Sequence, residues 1–157
     1  MTVVTERRPG APPYEAYATI VSVFVGGLGI AGLAARLFDR NPACQTPLDL
    51  AVLSAATFKA AHTLAHDEVT SFLREPFVEG EAHEGDEDPL ETGDYRQAIG
   101  ELITCSRCGG TWAAAALVST QILSPRFGRL LTWSLAAAGI NDWLQAGFAA
   151  LTKTAND

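Results

Sequence analysis

Residues 16–35 form a run of 20 residues that contains no charged side chain. As a helix rising 1.5 Å per residue, this run is long enough to cross the roughly 30 Å hydrocarbon core of a bilayer. A secretory signal peptide is the alternative, with Arg7 and Arg8 as its basic region. Signal cores are shorter, about 7–15 apolar residues, and a convincing cleavage site is missing. We therefore predict a retained membrane-spanning helix.

The distribution of charge agrees with a membrane protein. Charged residues make up 18% of the 157 residues, whereas soluble domains carry about 25%. Residues 79–94 hold eight acidic residues and no Lys or Arg, and we expect a solvated, mobile loop there. They lack the ligand order of a Ca²⁺-binding loop. The net charge of −7 argues against a nucleic-acid partner, which requires a basic face.

Three further apolar segments follow, at residues 47–66, 108–125 and 130–151. Thr46 is placed to cap the first of these helices, with Pro47 and Asp49 in its first turn. That helix either spans the bilayer or lies on its surface. Residues 124–129 read as a tight turn between the last two spans. Asp94 with Gln97 resembles a capping box and opens an amphipathic helix over residues 95–104.

The predicted fold class is therefore an all-α integral membrane bundle of about four helices, with the short amphipathic helix before the third span. Residues 1–15 are expected to be a disordered lead, and residues 16–157 a single membrane domain. Gly27, Ala31 and Ala35 form a small-residue ridge that suits a second copy or another membrane protein. The excess of Lys and Arg on one side is small, so the orientation of the bundle stays open.

A dithiol precedes the third span. Cys105 and Cys108 are three positions apart, a spacing at which two thiols share a metal ion or close a small disulfide ring. Trp112 follows, and tryptophan settles at the level of lipid headgroups. The third cysteine is Cys44, and three cysteines do not make a disulfide framework.

Two blocks of sequence resemble a family of small bacterial membrane proteins catalogued as a domain of unknown function, number thirteen-sixty, some of whose members are labelled sporulation-related. The blocks are Thr57-Phe-Lys59-x-x-His62-x-x-x-x-Asp67-x-Val69-Thr70-x-x-x-Arg74-x-Pro76-Phe77 and Glu101-Leu-x-Thr-Cys105-x-x-Cys108-x-Gly110-x-Trp112. Ser106 and Arg107 replace the family's usual proline–aromatic pair, and the acidic loop looks like an insertion. The resemblance implies a multi-pass protein of the bacterial cytoplasmic membrane and no established activity.

The preferred interpretation is a scaffold or accessory subunit of that membrane, in contact with lipid, whose two cysteines either pack or bind zinc. His62 and His66, four apart on one helix, would complete a four-ligand zinc site with Cys105 and Cys108. A membrane thiol–disulfide protein is the first alternative, because Arg107 would stabilise a thiolate at the helix start.

An ion or proton relay through Asp142 is the second alternative, since an acid within a span is a functional candidate. The expected partner of Asp142 is Lys59 or His62, and Arg74 is expected to pair with Asp67 or Glu75. The sequence contains none of the common catalytic motifs, so an enzyme is the less favoured class.

Overall fold

The structure is a computed structural model that describes residues 12–41, 45–80 and 87–156. The chain folds as an all-α protein with one minimal β-ladder. Its elements are, in order, α1 (Tyr14–Leu37), α2 (Pro47–His66), a 3₁₀ turn (Glu68–Thr70), α3 (Ser71–Arg74), a second 3₁₀ turn (Glu75–Phe77), β1 (Val78–Glu79), β2 (Asp88–Pro89), α4 (Tyr95–Thr104), α5 (Ser106–Leu123) and α6 (Pro125–Asn156).

The helix starts follow the local chemistry that the sequence predicts. The Thr46 hydroxyl accepts the N–H of Asp49 at 3.2 Å, and the Asp49 carboxylate accepts the N–H of Thr46 at 2.9 Å. This reciprocal pair is a capping box at the start of α2. At α4, the Asp94 carboxylate accepts the N–H of Arg96, while Gln97 reaches back to the N–H of Gly93. Both predicted caps are confirmed.

One helix of the described residues, α1, is long and apolar enough to cross a membrane, and only 6% of its most apolar window is buried. The predicted all-α class is confirmed. The predicted bundle of four spans is not, because this finding gives one candidate span in the described residues. The other long helices mix apolar residues with Ser, Thr, Gln and ionised side chains, which lowers their apolarity below that of a clear span. The exposed apolar surface of α1 supports membrane association.

The described residues fall into two compact units. In one unit, formed from Leu28–Ala61 and Gly110–Asp157, residues of α2, α5 and α6 pack together. Its core consists of small and aliphatic side chains, Leu53, Ala56, Leu117 and Ala136. A Cβ built on Gly128 would lie 2.5 Å from the Cα of Gln121, so the α5–α6 hairpin requires glycine there.

The other unit is formed from the described residues of Met1–Gly27 and His62–Gly109. Here α4 packs against β2, the second 3₁₀ turn and α3. Val78 pairs with Pro89, and Glu79 with Asp88, in an antiparallel ladder. Gly93 has a φ of 69°, a left-handed conformation that favours glycine and turns the chain into α4.

Some boundaries differ from the predictions. The connection expected at residues 124–129 is reduced to Ser124, because Pro125 already begins α6; proline fits a first helical turn, where its missing N–H is not needed. The expected mobile loop at 79–94 is tied at both flanks by the β-ladder, and residues 81–86 lie outside the described part. Residues 1–11 of the expected lead and Cys44 also lie outside it.

Candidate functional site

The two cysteines lie at the start of α5. Cys105 ends α4 in an extended conformation, and its carbonyl accepts the N–H of Gly109 at 2.9 Å. Its sulfur accepts the N–H of Cys108 at 3.4 Å. Cys105 therefore occupies the N-cap position of α5, where backbone N–H groups and the helix dipole favour negative charge. The sequence prediction of a thiol at a helix N-terminus is confirmed.

This position changes the acidity of the first thiol. The pKa of Cys105 is lowered, first by a hydrogen bond from the Cys108 thiol and then by the N–H of Cys108. The N–H and the positive charge of Arg107 act in the same direction, against the opposing effect of burial. Both thiols are free, Cys105 half-buried and Cys108 exposed. The two thiols therefore differ, because the pKa is lowered at Cys105 and raised at Cys108, whose thiol donates to the Cys105 sulfur.

The predicted zinc ligands do not come together as a group. His62 and His66 lie on one face of α2 with their ring centroids 4.9 Å apart, as their spacing predicted. Within residues 12–41, 45–80 and 87–156, however, no cluster of three or more His, Cys, Asp or Glu side chains has a geometry that would hold a metal ion. A four-ligand site would require rearrangement of this part of the chain, and zinc binding stays a prediction.

Arg74 is the buried centre of its unit, with 0% of its surface exposed. Its guanidinium group donates hydrogen bonds to the carbonyl oxygens of Leu64 and Asp67, at 2.7 and 3.1 Å, and to the Thr70 hydroxyl at 2.8 Å. Its Nε pairs with a carboxylate oxygen of Glu87 at 2.5 Å. The ion-pair partner seen here is Glu87, whereas the sequence pointed to Asp67 or Glu75.

The partner of Arg74 comes instead from the acidic loop, because the β-ladder returns the chain beside α3. Asp67 contributes its backbone carbonyl to Arg74. The sequence contains no signal that would single out Glu87 among the eight acidic residues of 79–94. One part of a loop predicted to be mobile thus completes a buried ion pair.

A second polar group involves residues outside the predicted site list. Glu101 accepts a hydrogen bond from the Tyr17 hydroxyl and another from the Gln97 amide at 2.9 Å. Gln97 is 8% exposed and also accepts the N–H of Gly93. Glu101 lies four residues before Cys105 and belongs to the second sequence block. Its place in that block was the sequence signal that could have marked it as a site residue.

Asp142 and Lys59 meet in the other unit. The Lys59 Nζ lies 2.9 Å from a carboxylate oxygen of Asp142, with side chains 17% and 43% exposed. A Cβ built on Gly139 would lie 3.2 Å from both the Ala55 carbonyl oxygen and the Lys59 Cβ, which shows how closely α2 and α6 approach. The predicted pairing of Asp142 with Lys59 is confirmed.

Trp112 is half-buried on α5.

Comparison with known proteins gives one family and two relatives. The model of the family described as "Protein of unknown function (DUF1360)" matches residues 52–148, which include the dithiol and Arg74. The chain is 31% identical over 112 residues to sporulation protein YjcA of Bacillus subtilis (strain 168), covering 62% of this chain and 95% of that protein. It is 28% identical over 98 residues to UPF0713 protein YngL of the same organism, covering 59% and 72%. No solved structure matches the chain.

Proposed function

The chain belongs to the DUF1360 family of proteins of unknown function, some of whose members are labelled as sporulation proteins, and from this premise we propose that it is an integral membrane scaffold or accessory protein anchored by α1. The exposed apolar surface of α1 carries the proposal. Val25, Ile30 and Leu33 are 61%, 71% and 58% exposed. Exposing a whole helix of such side chains to water is unfavourable by roughly 25 cal/mol per Å² of apolar surface.

The same argument extends the proposal to a multi-pass protein of the bacterial cytoplasmic membrane. Large apolar side chains of α6 are also exposed, among them Trp143 at 67%, Phe148 at 70% and Leu151 at 72%. Clusters of exposed large apolar side chains are typical of contact with lipid or a partner. In the proposed arrangement α2, α5 and α6 lie in the membrane with α1.

Fractionation tests the membrane proposal. Membranes from cells that make the full chain are washed with alkaline carbonate and floated on a density gradient. We expect the protein to stay with the floating membranes, as an integral protein does. Recovery of the protein in the aqueous fraction, monomeric without detergent, would overturn the proposal. Labelling of single cysteines from each side of intact cells then establishes the number of spans and the side that Cys105 faces.

A second function, thiol–disulfide exchange, is favoured by the N-cap position of Cys105. In the proposed step the Cys105 thiolate attacks one sulfur of a partner protein's disulfide, forming a mixed disulfide and releasing the other sulfur. Cys108 then gives up its proton to the released thiolate and attacks the Cys105 sulfur, which breaks the mixed disulfide and expels the partner's second sulfur as a thiolate that takes a proton from water. The products are a Cys105–Cys108 disulfide and a reduced partner dithiol.

Trapping in cells tests this exchange. We expect Cys108→Ala to accumulate a mixed disulfide with a partner, because the resolving thiol is gone, whereas Cys105→Ala should not. Both variants are made in a Cys44→Ser background. Equal yields of mixed disulfide from the two variants would exclude the exchange as written.

The zinc site and the relay stay predictions with their own measurements. Metal analysis of the detergent-purified protein decides on zinc, and wild-type protein without zinc removes that idea. For the relay, the ion pair of Asp142 with Lys59 already accounts for an acid within α6 as a structural contact. If Asp142→Asn leaves every phenotype of the intact gene unchanged, the relay is excluded.

A further inference from the structure

A groove with a volume of about 590 Å³ runs between the second half of α1 and the second half of α5, within one unit. Its walls are apolar and consist of Leu28, Ala31 and Gly32 from α1 with Val118 and Ile122 from α5. A Cβ built on Gly32 would meet nothing within 4 Å. The groove is therefore open along its α1 wall at Gly32.

Arginines surround one end of this groove. Arg36 and Arg40 line it, and a neighbouring cavity of about 550 Å³ shares Arg40 and adds Arg126 and Arg129. The turn after α1 holds the first two close together: the N–H of Arg40 donates to the Ala35 carbonyl at 2.8 Å. Two arginines thus line the groove itself, and two more line the cavity beside it.

Four arginines but only two aspartates, Asp39 and Asp49, line these two cavities, so positive charge is in excess there. One of these aspartates forms an ion pair: the Asp49 Oδ1 lies 3.5 Å from the Arg129 Nη2. The Arg129 side chain is still 67% exposed. Within the described ranges 12–41, 45–80 and 87–156, no carboxylate forms an ion pair with Arg36, Arg40 or Arg126. An unpaired guanidinium group beside apolar surface favours a phosphate, which it can bind through two parallel hydrogen bonds.

We propose that this groove binds one anionic phospholipid, with an acyl chain between α1 and α5 and the phosphate on Arg36 and Arg40. The proposal rests on the membrane insertion of α1 proposed above. With 24 residues at 1.5 Å each, α1 is about 36 Å long, so Arg36 in its last turn lies at headgroup level when the helix crosses the core. The acyl chain then lies in the groove at the depth of the hydrocarbon core, and the phosphate lies beside the arginines at the depth of the headgroups.

Lipid retention measured by native mass spectrometry tests the site. The detergent-purified full chain is mixed with equal amounts of phosphatidylglycerol and phosphatidylcholine, and the bound lipid is counted. We expect wild type to retain phosphatidylglycerol preferentially. Replacing both arginines, Arg36→Gln with Arg40→Gln, should lower that preference by about thirtyfold, since each basic residue near an anionic lipid contributes roughly a factor of five.

Matched variants separate the site from general effects. Gly32→Leu fills the groove and should lower retention of both lipids, whereas Gly29→Leu, also open to space on α1 but outside the groove, should not. Arg107→Gln removes one positive charge elsewhere and should leave the preference unchanged. An unchanged preference in the double arginine variant, or equal retention of both lipids by wild type, would overturn the proposal.

Two further results would also decide the matter. A dimer that survives removal of lipid and is lost in Gly32→Leu would overturn the lipid site and identify a second copy as the occupant. The flotation experiment separates the two proposals. Protein that floats with membranes but shows no lipid preference refutes the lipid site alone, whereas protein in the aqueous fraction refutes the membrane proposal on which it rests.

Discussion

Cys105 is the residue at which local structure changes reactivity most directly. Its pKa is lowered chiefly by the hydrogen bond from the Cys108 thiol, and the thiolate is the form that reacts with alkylating agents. We expect the pH midpoint of Cys105 alkylation to lie below that of free cysteine. In Cys108→Ala the midpoint should rise, because the strongest stabilising contact of the thiolate is removed.

The measurement is the rate of iodoacetamide labelling against pH, in a Cys44→Ser background with the labelled position identified by peptide mapping. Ser106→Ala is the control, because it changes a neighbour without removing a contact to the sulfur. A midpoint for Cys105 that equals free cysteine, or that does not move in Cys108→Ala, would contradict the N-cap account.

Arg74 is the residue on which its unit depends most. It is fully buried and donates to two carbonyls, a hydroxyl and the Glu87 carboxylate. Arg74→Gln should lower the free energy of unfolding by about 3–5 kcal/mol, because it leaves a buried carboxylate and several acceptors unpaired. Thermal unfolding in detergent measures this. The exposed Arg107→Gln should change stability by less than about 0.5 kcal/mol, and equal effects would show that Arg74 is not a structural centre.

At the scale of the element, a single substitution in α1 tests whether this helix spans a membrane or lies on a soluble surface. Val25 is 61% exposed near the middle of the helix. On a soluble surface Val25→Lys would be nearly neutral, but at the centre of a membrane span lysine costs about 3 kcal/mol. We expect a marked loss of carbonate-resistant protein for this variant.

Val69→Lys is the matched control, because Val69 is 74% exposed in the turn between α2 and α3, outside the proposed span. It should leave the membrane fraction unchanged. If both lysine variants behave like wild type, α1 does not span the membrane.

The α5–α6 hairpin gives a second test at this scale. A Cβ on Gly128 would collide with the backbone of Thr120 and Gln121, at 2.5–2.8 Å, whereas a Cβ on Gly147 would meet nothing within 4 Å. Gly128→Ala should therefore destabilise the protein by about 1–3 kcal/mol, as overpacking does. Gly147→Ala should be neutral or stabilising by up to about 1 kcal/mol, because alanine favours helix. Thermal unfolding of both variants measures the difference, and a harmless Gly128→Ala would disprove the close approach.

At the scale of the whole molecule, the coupling energy of the Lys59–Asp142 ion pair indicates whether α2 and α6 lie in lipid or in water. A solvent-exposed ion pair contributes about 0.2–1 kcal/mol. In surroundings of low dielectric constant the coupling should exceed about 1 kcal/mol. We expect a double-mutant cycle with Lys59→Met and Asp142→Leu to give the larger value, with the double variant more stable than either single variant.

The cycle is measured by unfolding in lipid-containing detergent micelles. A coupling energy below about 0.5 kcal/mol would place the pair in water. The multi-pass arrangement would then be reduced to the single helix α1.

Local chemistry was readable from the sequence because each feature depends on residues a few positions apart. The caps at Thr46 and Asp94 and the thiol at the start of α5 were all predicted and confirmed. The predicted helix boundaries were less accurate. Pro125 fits a turn as well as the first turn of a helix, and here it begins α6.

What the sequence by itself determined is the all-α class, the long apolar run that forms α1 and the position of the dithiol, because apolarity, run length and capping act over short distances. Only the tertiary structure decided that Arg74 pairs with Glu87, that Glu101 receives Tyr17, and that the four predicted zinc ligands form no cluster in the described chain. These outcomes depend on which distant segments meet. The β-ladder returns the acidic loop to α3, and no spacing within the sequence encodes that return.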